Sequence, residues 1–331
     1  MESLSIQPEK SLYELYLENY EEHQMIYGKS SCKYKVLVDY KDGKMHGSYS
    51  LYANSKLLVT GNFVDGKKHG VFIAYSSSNG DMRSKTTYVD DQKQGIEEGF
   101  FSNGNLIYKV NFTDNKVNDI NYEVYHENGN LEISGSYING KKQGIFKTFH
   151  KNGVIESIVN YIDDEINDLY KSYYPNGKLK IIVNIINGKK NGNYKMFNEY
   201  GDLCVSTYYL DDKEHGLYES FYDEQFPETI VNYVHGKKEG KYVEFYHNGN
   251  LLEECIYSND EKVGYFKNYH EDGELDVDAF YVNGKLEGKY YEYYESGKLR
   301  VEANYINGVM VGLYKEYDFS GKLVKEIFYR A

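Results

Sequence analysis

Residues 288–311 read GKYYEYYESGKLRVEANYINGVMV, and residues 240–263 read GKYVEFYHNGNLLEECIYSNDEKV. The two stretches share a frame. A glycine opens each, aromatic residues follow at the third and sixth places, a glycine comes at the tenth and a leucine at the twelfth. Another aromatic stands at the eighteenth place. The same frame recurs from Gly47, Gly70, Gly95, Gly144, Gly192, Gly216, Gly240, Gly264, Gly288 and Gly312, with Asp119 and Asp168 in the two vacant places. The spacings are 23, 25, 24 and 25, then 24 throughout. Eleven full copies cover residues 47–311, preceded by a half copy, Tyr34–His46, and followed by a last hairpin, Gly312–Ala331.

Each copy reads as a β-hairpin. Asn-Gly pairs such as Asn128–Gly129, Asn152–Gly153, Asn176–Gly177 and Asn248–Gly249 supply the positive φ that a tight hairpin turn requires. In the second strand Leu299, Val301, Ala303 and Tyr305 alternate with Arg300, Glu302 and Asn304, so one face is buried and the other wet. The first strand is less regular. Tyr290 and Tyr293 are three apart, which demands either a bulge between them or aromatics on both faces; the bulge is the expectation. Tyr242 and Tyr290, being equivalent, are expected to be equally buried. A lone hairpin is unstable in water, whereas stacked hairpins cover one another. The fold class expected is therefore all-β: an elongated single-layer antiparallel sheet, or hairpin solenoid, of about twelve repeats of roughly 24 residues.

Composition agrees. The 331 residues include 39 Tyr, 15 Phe and 31 Gly but only 3 Pro and no Trp, which suits many short strands and tight turns. Residues 1–32 form a separate segment ahead of the 33–331 array. Ser11–Glu14 fits a capping box, and Leu12, Leu15, Tyr16, Asn19, Tyr20 and His23 follow a helical stripe. A short helix over 11–24 is expected, acting as a cap.

The net charge of −13 argues against nucleic acid as a partner, because phosphate neutralisation needs surplus cations. Cys32, Cys204 and Cys255 are odd in number and form no CxxC, so neither a disulfide framework nor a zinc site is expected. With no signal peptide or spanning segment, the reading is an intracellular, cytoplasmic protein. No P-loop, GxSxG or HExxH is present, so no catalytic residue, cofactor or metal is expected, and the carboxylates and the nine histidines read as repeat-derived surface groups.

Two features stand out as candidate sites. Lysine pairs Lys67–Lys68, Lys141–Lys142, Lys189–Lys190 and Lys237–Lys238 recur in the second turn, with single lysines at 93, 116, 213, 262 and 285. They predict a basic stripe along one edge, suited either to solubility or to an anionic surface such as phosphoinositide headgroups. In the last hairpin Val324 and Phe328 join Leu323, Ile327 and Tyr329 in being apolar, so both faces of that strand are sticky. They predict a homodimer, or an added partner strand, at this edge.

The unit GxYxxYxxNGxLxxxxxYxxGKxxG resembles the variant MORN repeat, the type found in the YwqK-like antitoxin family, over residues 34 to 331. The resemblance implies an elongated hairpin sheet and a scaffold or binding role, with attachment to membrane lipid or protein. The chain departs from the standard MORN pattern in lacking Trp, in Glu97 replacing an aromatic, and in Phe226 and Pro227 replacing a turn and its leucine. The leading functional expectation is a non-enzymatic scaffold that binds protein through its long sheet face. A peripheral membrane adaptor working through the lysine edge, and an antitoxin-like inhibitor of a partner enzyme, are the alternatives.

Overall fold

The computed structural model describes residues 34–222 and 226–330, and every helix or strand among them is a β-strand. The helix expected over 11–24 and Cys32 lie outside the described residues. The chain divides into two compact units, one ending at Gly95 and the other beginning at Ile96. The boundary falls inside the copy in which Glu97 replaces the first aromatic, a division that the repeat spacing did not reveal.

In the first unit Tyr34–Lys41, Lys44–Ala53, Lys56–Val64, Gly70–Tyr75 and Met82–Val89 pair antiparallel in succession. In the second, an open antiparallel meander runs from Leu106–Thr113 to Leu323–Tyr329, each long strand hydrogen-bonded to the next. The hairpin of residues 288–306 shows the shared register. Gly288 faces Tyr305, Tyr290 faces Ala303 and Glu292 faces Val301, after which Tyr293 faces Leu299.

That register corrects two expectations. Between Glu292 and Tyr293 the first strand advances one residue while the second advances two, so the bulged residue is Arg300, on the second strand. Tyr290 and Tyr293 therefore lie on opposite faces of a regular strand, and Leu299 is turned away from the Val301 face to meet Tyr293. The first strand's irregularity sits earlier, at the opening glycine. From Tyr305–Met310 to Glu302–Lys315 the incoming strand advances three residues and the outgoing one five, which leaves two extra residues around Gly312. Gly312 has φ 73° and Gly288 φ 75°, a conformation that glycine adopts without steric cost. Asp168, replacing glycine, is held at φ 100°.

The buried face carries the third and eighteenth places of each copy. Tyr242 and Tyr257 meet edge to face with ring centroids 5.6 Å apart, and Tyr290 and Tyr305 do so at 5.7 Å. Val231, Tyr242, Cys255, Phe266 and Ala279 form one buried cluster, with Tyr218, Tyr281 and Tyr290 packed against it. The two equivalent tyrosines are not equally buried: Tyr242 is 8% exposed, while Tyr290 falls outside the fully buried set.

Ahead of the last hairpin, where Tyr314 faces Ile327, the residue opposite the core aromatic of the first strand is small: Gly61, Thr86, Gly135, Val159, Val183, Thr207, Val231, Cys255, Ala279 and Ala303. Where it is glycine, the ring of the next copy drops onto the backbone. A Cβ added to Gly135 would stand 2.4 Å from the Phe146 ring, and one added to Gly61 would stand 2.4 Å from the Phe72 ring. There the ring contacts run on between copies, Tyr137 to Phe146 at 5.5 Å and Phe63 to Phe72 at 5.6 Å. Phe146 is 5% exposed and has little freedom to retreat. Gly135→Val should therefore destabilise the second unit by roughly 1–3 kcal/mol, the range for overpacked cores, read as a lower urea midpoint at unchanged slope.

Candidate functional site

Three surfaces remain once the aromatic face is closed: two edges and the outer sheet face.

The first edge holds the second turns, and here the paired lysines divide. Lys67, Lys141, Lys189 and Lys237 are exposed. Their neighbours lie over the core rings. Lys238 Nζ stands 4.7 Å from the centre of Tyr242 and 5.0 Å from that of Tyr257. Lys190 covers Tyr194 and Tyr209 at 5.5 and 4.8 Å, Lys142 covers Phe146 and Tyr161 at 5.6 and 4.9 Å, and Lys68 covers Phe72 and Tyr88 at 5.5 and 4.9 Å. An ammonium over an aromatic face is attracted by the ring quadrupole while its stem shields the ring from water. The backbone N–H of the same lysines donates to an aspartate of the following turn: Lys142 to Asp164, Lys190 to Asp212 and Lys238 to Asp260, at 2.7–2.8 Å. The edge thus alternates lysine with aspartate, and half of the lysines in its pairs cap the core.

The opposite edge is a ladder. Asn128, Asn152, Asn176 and Asn248 each donate from Nδ2 to a backbone carbonyl of the following copy, that of Lys151, Pro175, Glu199 and Glu271 respectively, at 2.7–2.8 Å. Tyr174, Tyr246 and Tyr294 donate from Oη to the carbonyls of Phe197, Tyr269 and Tyr317. His126, His150 and His270 fill the same role through Nε2, which must carry the proton, since its partners are the carbonyls of Phe149, Tyr173 and Tyr293. Back on the lysine edge, His215 Nδ1 accepts from the His235 backbone N–H, as Gln143 accepts from Asp163 and Glu239 from Asn259. These histidines have structural work. Among the described residues no group of three or more His, Cys, Asp or Glu side chains could hold a metal ion. Burial pushes the Cys255 thiol up to about 12, with the Glu253 carboxylate adding to the effect, so it is held as the neutral thiol at physiological pH.

The outer face carries the second, fourth, fifteenth and seventeenth places. Tyr265 and Phe280 meet there edge to face at 5.3 Å, and Tyr269 Oη donates to Glu254 Oε1 at 3.0 Å. Ile145, Leu217, Ile256, Tyr265 and Leu313 are all exposed on it. The first strand hid this face, because the aromatics at place six were read together with those at place three and place two was not singled out. The last strand, Leu323–Tyr329, pairs with Gly312–Tyr317, and Val324 and Phe328 are both exposed, at 57% and 67%. No helix among the described residues is long and apolar enough to cross a membrane.

Two predictions follow from this chemistry. Lys238→Ala should cost about 1 kcal/mol, the scale of a partly buried cation–π contact, while Lys237→Ala should stay within about 0.5 kcal/mol in the same urea melts. The second concerns alkali. Tyrosines of the buried face titrate high: burial first, then the Glu292 carboxylate, pushes Tyr290 up to about 12, and burial with the Glu214 carboxylate does the same for Tyr233. An unfolded tyrosine ionises near 10. The stabilisation is thus full below pH ~10 and lost as pH rises from ~10 to ~12. Absorbance at 295 nm, which no tryptophan obscures, should show tyrosinate forming in two populations, the later one together with loss of strand signal in circular dichroism.

A model of the MORN repeat variant matches residues 93–114, 119–139, 142–163, 169–187, 238–259, 262–283, 286–307 and 310–331, together just over half of the chain. Comparison with curated proteins gives no match. The copies between the matched stretches keep the same pairing: Gly192 faces Tyr209 and Gly216 faces Tyr233, as Gly288 faces Tyr305. The copy with Phe226 and Pro227 also keeps it, with Phe221 facing Pro227. The motif match and the common register give one conclusion: the chain belongs to the MORN repeat variant family and is a β-hairpin repeat scaffold.

Proposed function

We propose that this scaffold binds a protein partner through the outer face of its second unit and carries out no chemistry of its own. The observation that carries the reading is the contrast between the two faces. The aromatic face is filled by its own rings, whereas the outer face leaves Leu217 51% and Tyr265 70% exposed amid paired charges. Exposed apolar groups rimmed by polar ones are the usual make-up of a protein-binding surface. The lysine edge supports a membrane role less well, since its turns alternate lysine with aspartate and Lys142, Lys190 and Lys238 are drawn onto the core rings.

The test is affinity capture from source cells with the full chain as bait. Leu217→Lys with Leu313→Lys should abolish recovery of the partner, while Lys189→Ala with Lys237→Ala should leave it unchanged. Recovery unaffected by the face variant, or lost with the edge variant, would overturn the reading. Inhibition of a captured enzyme would make the role antitoxin-like; binding to anionic liposomes lost in the edge variant would favour the membrane adaptor.

A further inference from the structure

The outer face is not uniform along the second unit. Its seventeenth place is asparagine at Asn111, Asn160, Asn184, Asn232 and Asn304 and aromatic at Tyr208 and Phe328, but only at Ile256 and Phe280 do two consecutive copies both place an apolar residue there. The same two copies carry Lys241 and Tyr265 at the second place, opposite Ile256 and Phe280 in the register. These changes coincide with a cleft of about 650 Å³ whose lining includes Lys241, Glu254, Ile256, Tyr265, Lys267 and Asp278. It crosses four strands, Lys237–Phe245, Leu251–Ser258, Glu261–Tyr269 and Leu275–Val282. At the spacing of paired strands that is roughly 15 Å.

The chemistry of the cleft narrows what it can take. Its apolar lining is Ile256 and Tyr265, and Tyr265 meets Phe280 edge to face and is 70% exposed. Its charges are matched. Lys241 Nζ lies 3.5 Å from Glu254 Oε2, the other oxygen of Glu254 accepts from Tyr269, and Lys267 stands in register between Glu254 and Asp278. A charged ligand would have to break these pairs, whereas a neutral ring would only replace water over Ile256 and Tyr265. The cleft is open along its length, so a free small molecule would keep much of its own surface wet, unlike ligands in enclosed pockets. A side chain presented by a partner is covered by that partner's backbone, and exposed Leu217 and Leu313 extend the contact area on the same face.

From this we infer that the cleft is the anchor point of the partner-binding face and receives an uncharged aromatic side chain of the partner protein. The inference rests on the protein-binding reading but has a test of its own. The chain has no tryptophan, so the fluorescence of N-acetyl-tryptophanamide excited at 295 nm reports on the probe alone. With the full chain, the expected result is a saturable blue shift with a millimolar Kd. In Ile256→Asn with Phe280→Asn, which installs the residue other copies carry, the affinity should fall at least tenfold while the melting curve is retained. Tyr265→Ala should act likewise. Indole-3-acetate and tryptamine should each bind more weakly than the neutral probe. Three results would overturn the inference: no saturable shift, a shift unchanged in the asparagine variant, or free indole binding as tightly as the capped amide, which would mark a small-molecule site. Partner capture unaffected by Leu217→Lys with Leu313→Lys, while the probe binds and the asparagine variant loses it, would overturn the reading of the wider face and leave the cleft itself standing.

Discussion

The contact on which the rest depends is that between an aromatic ring and the small residue beneath it. Most hairpins present a tyrosine or phenylalanine at the third place with a residue no larger than valine opposite; Glu97 and the Tyr314–Ile327 pair are the departures. The ring lies over that small residue and meets the eighteenth-place aromatic edge to face. A two-stranded ribbon has no interior of its own, so aromatic rings, each burying roughly 150–250 Å², must supply what a core would. Glycine at 135 and 61 takes this to its limit, letting the next ring touch backbone and carrying the edge-to-face chain from one copy into the next. Where the second turn ends in lysine, as at Lys68, Lys142, Lys190 and Lys238, that lysine then closes the ring pair from above.

Polar groups follow the same period as the rings. Asparagine, tyrosine and histidine side chains on one edge, and aspartate and glutamate on the other, satisfy backbone groups of the neighbouring copy. Each hydrogen bond spans about one repeat, as from Tyr246 to Tyr269 or Lys238 to Asp260. Stability in such an array is a sum of nearest-neighbour terms. It also makes single copies dispensable in sequence but not in geometry. Phe221 faces Pro227 where other copies have leucine, and Glu97 is buried in place of an aromatic with an oxygen accepting from Tyr108 at 2.9 Å.

Much of this was legible in the sequence, and the missing parts share a cause. The period, the hairpins, the alternation of the second strand from Val301 on and the exposure of Val324 and Phe328 could be read from spacing. The bulge could not be placed, because two aromatics three apart are equally consistent with a bulge or with two faces; only the pairing of Tyr293 with Leu299 decides it. The lysine pairs looked alike, yet Lys237 and Lys238 point to opposite fates, since alternation sends one to solvent and the other across the rings. The cleft was hidden for a different reason. Ile256 and Phe280 are ordinary strand residues in isolation and stand out only against the asparagines of equivalent copies. Tyr242 and Tyr290, identical in the repeat, differ in burial, which the shared frame does not reveal.

The central claim is that each ring holds its own copy to the next and no more. Amide hydrogen exchange on the full chain carrying Tyr242→Ala tests it most directly. Protection should fall in the hairpin 240–257 and in the copies on either side, while residues 144–186 exchange as in the parent chain. Protection lost evenly from 106 to 330 would mean that the second unit is one cooperative core, and would contradict the account.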